Sequence, residues 1–313
     1  MLRKVRLFFY NNKKIILTSV GLFIFIVVII QVLNYNARRN SEEELAKQNA
    51  QANNIEQSNT AYLPSNTNPV MSDSKVSEDT LESDTQIIQN FIDYGNSNNI
   101  EGAYNLLSQD CKNEMFSTID RFYNYYFKKI FSEKRSYDIE TWNKDKGNVT
   151  YRIKYLNDIM ATGSINDEFI EDYFTVITEN KEKKLNINQF IRKDEVNKNK
   201  SQDGLEISIS NLYIYYDYEE YEITFTNNSD KTITIDTKDN TETVYIKDQN
   251  DVEYIWFGNE IPNEYLTLKS GESRNLRIKF SKLYNPERED TSINFEDIKI
   301  EGKDEKNKLE IGV

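Results

Sequence analysis

Residues Met115 to Leu156 read MFSTIDRFYNYYFKKIFSEKRSYDIETWNKDKGNVTYRIKYL, and within this stretch the spacing of apolar residues changes. In its first part, apolar side chains recur every three or four residues and share one helix face: Met115, Ile119, Phe122, Tyr126 and Ile130. From Ser136 onward the period is two, in SYDIETW and, after the turn KDKGN, in NVTYRIKYL. Helical sequence followed by antiparallel strands predicts an α+β fold.

The neighbouring sequence extends this domain in both directions. Ser83 and Gln86 form a capping-box pattern that predicts the start of a first helix, and a second helix is predicted from Ile100. Three helices thus precede any strand. Further short apolar or alternating runs follow the stretch: DIMATGSI, FIEDYFTVIT and KLNINQFI. We therefore predict an α+β domain over residues 84–198.

This domain resembles the nuclear transport factor 2-like superfamily. The resemblance rests on FIDYGNSNNIEGAYNLLSQDCKNEM, from Phe91 to Met115, and on the order of the strands after it. It implies a curved sheet that wraps around helices to form a cone with a cavity. The candidates for lining such a cavity are aromatic, with ordinary core packing as the alternative: Tyr125, Tyr126, Phe169, Tyr173 and Phe174.

Enzymes of that superfamily use a carboxylate or a histidine inside the cone, and this sequence contains no histidine. Alternation predicts that most of the nearby acids, Asp167, Glu168, Glu171 and Asp172, point to solvent. We therefore predict no catalytic residue. With no phosphate-binding loop, metal cluster or nucleophile motif in the sequence, we also predict no enzyme activity and no cofactor.

A polar segment, DEVNKNKSQDG from Asp194 to Gly204, predicts a link to a second domain. Short alternating strands fill residues 204–313 at intervals of roughly 8 to 12 residues, which is typical of an all-β sandwich. Their order resembles immunoglobulin-like domains of extracytoplasmic proteins from Gram-positive bacteria, including those grouped as telomeric repeat-binding factor 2-like. In many of those, the hairpin before the strand corresponding to LRIKF contains Pro-Gly-Glu; here Ser270 takes the place of the proline.

Near the start, nineteen uncharged and mostly apolar residues read IILTSVGLFIFIVVIIQVL, from Ile15 to Leu33. As a helix they span about 28 Å, close to the thickness of a bilayer core. Five Lys or Arg precede them and no small-residue cleavage site follows, which predicts an uncleaved signal-anchor. The expectation is a single-pass plasma-membrane protein with a cytoplasmic stub (1–14), a transmembrane helix (15–33) that contacts the lipid bilayer, a disordered tether (34–83) and extracellular domains.

Charge and residue usage exclude several functions. The formal net charge is −13, and residues 40–313 carry −20 because residues 1–39 hold seven Lys or Arg and no acid. Such acidity argues against nucleic acid as a ligand. One cysteine and no histidine exclude intramolecular disulfides, histidine zinc sites and Ser-His-Asp triads. Cys111 is predicted to be a small buried hydrophobe, with intermolecular bridging as the alternative.

The second domain contains one cluster of oxygen ligands that resembles part of a calcium site. Asp248, Asn250, Asp251 and Glu253 supply clustered oxygen atoms, but the spacing matches no complete calcium loop. We predict a solvated hairpin tip there and no metal site.

These features predict a multidomain protein: a transmembrane helix, an α+β domain and an all-β sandwich. The architecture resembles membrane scaffold components of type IV secretion and Gram-positive conjugation systems. We expect a non-enzymatic scaffold or protein-interaction module that binds a protein partner or itself. The alternative is a sensing protein whose cone cavity binds a lipid, a wall fragment or an antibiotic.

Overall fold

Polar caps set the helix starts in the computed structural model, which describes residues 68–72, 74–157, 169–240 and 242–313. The Ser77 side chain accepts a hydrogen bond from the backbone N–H of Thr80 at the start of the first helix. At the starts of the next two helices, the Asn99 and Ser108 side chains accept from the backbone N–H groups three residues further on. Such caps satisfy N–H groups that have no partner within the helix. The helices that follow are α1 (Glu78–Asn96), α2 (Ile100–Asn105) and α3 (Gln109–Met115).

The next helix contains a π-helical turn. It runs from α4 (Ile119–Phe122) through the π segment Tyr123–Phe127 into α5 (Lys128–Ile130). A π turn holds an extra residue and shifts the side chains that follow it around the helix axis. Here Tyr126 and Phe127, although adjacent in sequence, are both buried.

A four-stranded antiparallel meander packs against these helices. Its strands are β1 (Arg135–Asp145), β2 (Asn148–Asn157), β3 (Phe169–Glu179) and β4 (Glu182–Asn186). Aromatic rings from helices and sheet meet in a first hydrophobic core: the rings of Phe91 and Phe174 lie 5.3 Å apart, edge to face. Cys111 is fully buried beside this core, as predicted, and burial raises the pKa of its thiol to about 12.

The polar segment predicted as a link is instead part of a long hairpin. Strand β5 (Phe190–Gln202) turns at Asp203 and Gly204, both with positive φ, and returns as β6 (Leu205–Tyr215). One end of this hairpin contributes to the first core and the other end to a second core. The segment is polar because β5 is an edge strand that exposes much of its surface, and two register shifts interrupt its alternation.

The second core lies between two β-sheets. One sheet has the order β12-β7-β6-β5, with β7 (Glu219–Asn227) and β12 (Ser273–Phe280). The strands of the other sheet are β8 (Ile233–Thr234), β9 (Val244–Asp248), β10 (Glu253–Ile255), β11 (Thr267–Leu268), β13 (Asp290–Ile300) and β14 (Asn307–Gly312). Their order is β10-β9-β13-β8-β11, and β14 also pairs with β13. The rings of Phe225 and Phe295 meet between the sheets at 5.6 Å.

Side chains join the edges of the two sheets. The Lys200 ammonium donates to the backbone carbonyl of Glu310 at 2.6 Å, and the Gln202 amide donates to that of Lys308 at 3.0 Å. Both acceptors belong to β14, so β5 covers part of that strand without adding a strand to its sheet. A short 3₁₀ turn (Gly258–Glu260) and α6 (Asn263–Leu266) connect β10 to β11.

The predicted fold class requires correction. The described residues are mostly β-sheet and belong to one compact unit, rather than to an α+β domain and a separate sandwich joined by a link. The reason is the continuous β5–β6 hairpin, which crosses the predicted boundary. The predicted tether also ends too late, because α1 begins at Glu78, and residues 34–67 of it lie outside the described residues.

The predicted transmembrane helix and single-pass localisation are likewise not supported. Within the part of the chain that the structure describes, no helix is long and apolar enough to cross a bilayer. Helix α1 has 19 residues, but five of them are acidic. The predicted stub (1–14) and membrane segment (15–33) lie outside the described residues.

Candidate functional site

The five aromatic residues predicted to line a cavity lie in different places. Tyr126 and Phe174 are buried in the first core, where neighbouring rings fill the space around them. Tyr173 lies on the face of β3 opposite to Phe174, and its ring stacks on that of Tyr216 with centroids 3.6 Å apart. Tyr125 and Phe169 are exposed, at 72% and 50% of their surface. None of these residues lines either of the two cavities described below.

Asp172 is buried in the first core, unlike its exposed neighbour Glu171. Its carboxylate accepts hydrogen bonds from the Tyr126 hydroxyl at 2.7 Å and from the backbone N–H groups of Tyr173, Asn188 and Gln189 at 2.7, 3.1 and 3.0 Å. The last two residues have positive φ and form the turn between β4 and β5. Asp172 therefore stabilises this turn. Both of its carboxylate oxygens already accept hydrogen bonds from the protein itself.

Asp172 also makes stability depend on pH. Burial raises its pKa from 3.8 to about 6, although the hydrogen bonds act in the opposite direction. The folded chain therefore binds this proton more tightly than the unfolded chain. The resulting stabilisation is complete below pH 4 and is lost as pH rises to about 6, a decrease of up to about 3 kcal/mol in the free energy of unfolding. Urea denaturation between pH 4 and 7 should show this decrease, and the Asp172→Asn variant should lack it. Identical pH profiles would contradict the assignment.

A cleft of about 370 Å³ is the candidate site. Its walls come from both parts of the compact unit: β1 and β5 on one side, β7 and the segment from Lys282 to Asp290 on the other. Acidic and basic side chains dominate its lining. Those used in the argument below are Asp145, Arg192, Asp194, Glu219, Lys282 and Asp290.

The inner end of the cleft holds a buried ammonium group. Lys282 is 2% exposed, and its Nζ lies 3.0 Å from Glu219 Oε1 and 2.6 Å from Asp290 Oδ1. It also donates to the backbone carbonyl of Arg288 at 3.1 Å. Burial lowers the pKa of Lys282, but the two carboxylates outweigh burial and raise it. The lysine is therefore a fixed positive charge and not a free amine.

Glu219 is the unusual member of this group. It is 3% exposed, and its Oε2 has no hydrogen-bond partner among the described residues. Burial, followed by the nearby Asp290 carboxylate, raises the pKa of Glu219 well above its usual range, against the effect of Lys282. Asp290 is better satisfied, because the Tyr221 hydroxyl donates to its Oδ2 at 2.5 Å. A buried carboxylate oxygen without a donor is costly, and the raised pKa lowers this cost because the protonated Glu219 can donate to Asp290.

The outer end holds a second charged group. Arg192 donates through Nε to Asp194 Oδ2 at 2.9 Å and pairs through its terminal nitrogen with Asp145. The Tyr284 hydroxyl donates to the same Asp145 oxygen at 3.2 Å. Burial lowers the pKa of Arg192, but its two carboxylates raise it overall. Among the described residues of the whole lining, six acidic side chains face five basic ones, so acids outnumber cations by one.

Sequence reasoning missed this site, although one signal was present. In β7 every second residue from Glu219 to Asn227 is buried, so the alternation that places Tyr221 and Ile223 inside also places Glu219 there. Lys282 stands two residues after the buried Phe280 and continues the same pattern beyond the end of β12. A charged residue at a position where the strand alternation predicts burial therefore indicates a buried charge.

The calcium alternative is not supported by the geometry. Asp248 is buried, and its Oδ1 accepts from the backbone N–H groups of Asn250 and Val252 at 2.8 and 3.0 Å. Its carboxylate thus shapes the turn between β9 and β10. No cluster of acids, cysteines or histidines suited to a metal occurs among the described residues.

Comparisons with known proteins give no family assignment. No family model matches the chain, and no curated protein matches it. A solved structure of a conserved hypothetical protein from Bacillus anthracis is similar, with 12% sequence identity and a TM-score of 0.25 over 38% of this chain and 96% of that chain. A similarity with this TM-score indicates neither a shared fold nor a shared function. The resemblances to the nuclear transport factor 2-like and immunoglobulin-like families stay predictions.

Proposed function

We propose that this chain is a protein-interaction module whose cleft binds a lysine or arginine side chain of a partner protein. The observation that carries the proposal is the unpartnered Oε2 of the buried Glu219. An ammonium or guanidinium group supplies the hydrogen-bond donor and the positive charge that this oxygen lacks.

Charge and shape support the same partner chemistry. The protein carries a net charge of −13, which attracts basic partners over a distance set by ionic strength. The cleft volume of about 370 Å³ lies at the small end of the range for ligand sites and is enough for one long side chain. A binding role also fits the state of the cleft residues, because a protonated Lys282 held by Glu219 and Asp290 is not a nucleophile.

The test uses blocked tripeptides with a central lysine, arginine or norleucine, titrated into the full chain at low ionic strength and followed by NMR. We expect the two basic peptides to bind and the neutral norleucine peptide not to bind. Glu219→Gln should weaken binding about tenfold or more, because it removes a charged acceptor. Since a cation favours the ionised form of Glu219, affinity should increase as pH rises.

The matched control is Glu305→Gln, which removes an acid from the exposed surface and should leave binding unchanged. Thermal unfolding of each variant shows whether it remains folded. Equal binding of basic and neutral peptides, or equal affinity of the Glu219 and Glu305 variants, would overturn the proposal.

A further inference from the structure

A second pocket, of about 280 Å³, opens beside β10 and the 3₁₀ turn. It lies in the all-β part of the chain, and none of its lining residues lines the cleft described above. Part of its lining is apolar: Ile255, Trp256 and Phe257, next to Gly258. The remaining lining residues are polar: Lys238, Asn240, Asn259 and Glu260.

The apolar wall is held in place by backbone hydrogen bonds. Trp256 N–H donates to the Val244 carbonyl at 3.2 Å, and Phe257 N–H donates to the Lys279 carbonyl at 2.8 Å. Gly258 packs directly on the indole, since a Cβ at this position would lie 2.5 Å from Trp256 Cε2. The pocket is therefore a preformed feature of the fold. Phe257 remains 40% exposed and offers an apolar contact surface at its mouth.

The indole N–H of Trp256 is the key polar group. Trp256 is 7% exposed, and its Nε1 donates to no acceptor among the described residues, although the atom itself is not fully shielded from solvent. An indole nitrogen can only donate a hydrogen bond. A ligand that satisfies it must therefore present a hydrogen-bond acceptor.

The other polar groups also favour an acceptor. The Lys238 ammonium donates to the Ile261 carbonyl and has further protons to offer. Asn240 Oδ1 accepts from the backbone N–H of Glu242 at 3.3 Å, which leaves its amide protons for a ligand. The acid in the lining, Glu260, is paired with Lys279 at 3.4 Å. Among the described residues of the lining, Lys238 is the one cation, and with Glu260 paired to Lys279 the groups left for a ligand are mainly donors.

We propose that this pocket binds a small organic carboxylate with an apolar body. The carboxylate accepts hydrogen bonds from the Trp256 indole and the Lys238 ammonium, and the apolar body packs against Phe257 and Ile255. A carboxylate is matched to this site because it only accepts hydrogen bonds and carries the opposite charge to Lys238.

The test compares three probes that share one ring and differ in the polar group: benzoate, benzamide and benzylamine. The full chain, labelled with ¹⁵N-tryptophan, has two indole N–H signals, from Trp142 and Trp256, and Trp142→Phe assigns them. We expect benzoate to shift the Trp256 signal saturably in the millimolar range, benzamide to act more weakly and benzylamine to have no effect. Lys238→Gln should weaken benzoate about tenfold and leave benzamide almost unchanged.

Lys269→Gln, at an exposed position outside the pocket, is the matched control and should bind benzoate as the natural sequence does. The indole spectrum of each variant reports whether the pocket is intact. Equal responses to all three probes, no response to benzoate, or a Lys238 variant that binds benzoate normally would each overturn the proposal. None of these outcomes depends on whether the cleft at Glu219 binds basic peptides.

Discussion

Lys282→Met is expected to lower the free energy of unfolding by about 3 to 5 kcal/mol. The lysine is 2% exposed and faces the carboxylates of Glu219 and Asp290, which are themselves 4% and 5% exposed. Methionine fills a similar volume but leaves two buried acids without a cation. At least one of them must then take up a proton or expose itself to water, and both outcomes cost stability.

Urea denaturation of the full chain measures the loss, with Lys269→Met at an exposed position as the control. The control should change stability by no more than about 0.5 kcal/mol. The combined variant Lys282→Met, Glu219→Gln should recover part of the lost stability, because it removes one of the two buried acids that no longer have a cation beside them. A Lys282 variant as stable as the Lys269 variant would show that the buried ion group does not form.

Asp172→Ala is expected to lower the free energy of unfolding by about 3 to 5 kcal/mol. Its carboxylate accepts hydrogen bonds from the Tyr126 hydroxyl and three backbone N–H groups, and alanine leaves all four donors buried or strained without an acceptor. Each unsatisfied buried donor costs about 1 to 3 kcal/mol, partly offset because the raised pKa of Asp172 already makes its ionised form expensive. The turn at Asn188 and Gln189 should loosen first.

Glu171→Ala is the matched control for this second variant, because Glu171 precedes Asp172 on β3 and points to the other face. Its side chain is 34% exposed, pairs with Arg152 at 3.9 Å and accepts a hydrogen bond from the Tyr173 hydroxyl at 2.9 Å, contacts that together contribute about 1 to 2 kcal/mol at such exposure. Hydrogen exchange of the Asn188 and Gln189 amides adds a local readout. Equal losses for the two variants would contradict the role assigned to Asp172.

Much of the secondary structure could be predicted from residue periodicity. The helices before the first strand and most strands from SYDIETW to NLRIKF occur where the pattern of apolar residues places them. KLNINQFI is divided between the end of β4 and the start of β5, YLTL is divided between α6 and β11, and the predicted strand DIMATGSI lies outside the described residues. The first helix starts earlier than predicted, at Glu78, because Ser77 and not Ser83 is the residue whose side chain caps it. Two serines with similar neighbours cannot be distinguished until the backbone at each is known.

The hairpin at Asp194 to Gly204 shows why the domain organisation was harder to predict. A strand at a sheet edge needs few apolar residues, and its bulges break the period of two, so its composition is that of a link. The candidate cleft was harder still. It brings together Asp145, Glu219 and Lys282, which are distant in sequence and become neighbours only through the arrangement of the strands.

The edge formed by β5 has a consequence for how copies of this chain meet. Exposed strand edges invite another chain to add a strand, which leads to uncontrolled aggregation. Along β5, two bulges and the charges of Lys193, Lys198 and Lys200 make such addition unfavourable, while Lys200 and Gln202 occupy carbonyls of β14. At this side of the fold, any association between chains must therefore proceed through side-chain surfaces, whose specificity can be tuned one residue at a time, and not through an open-ended sharing of backbone hydrogen bonds.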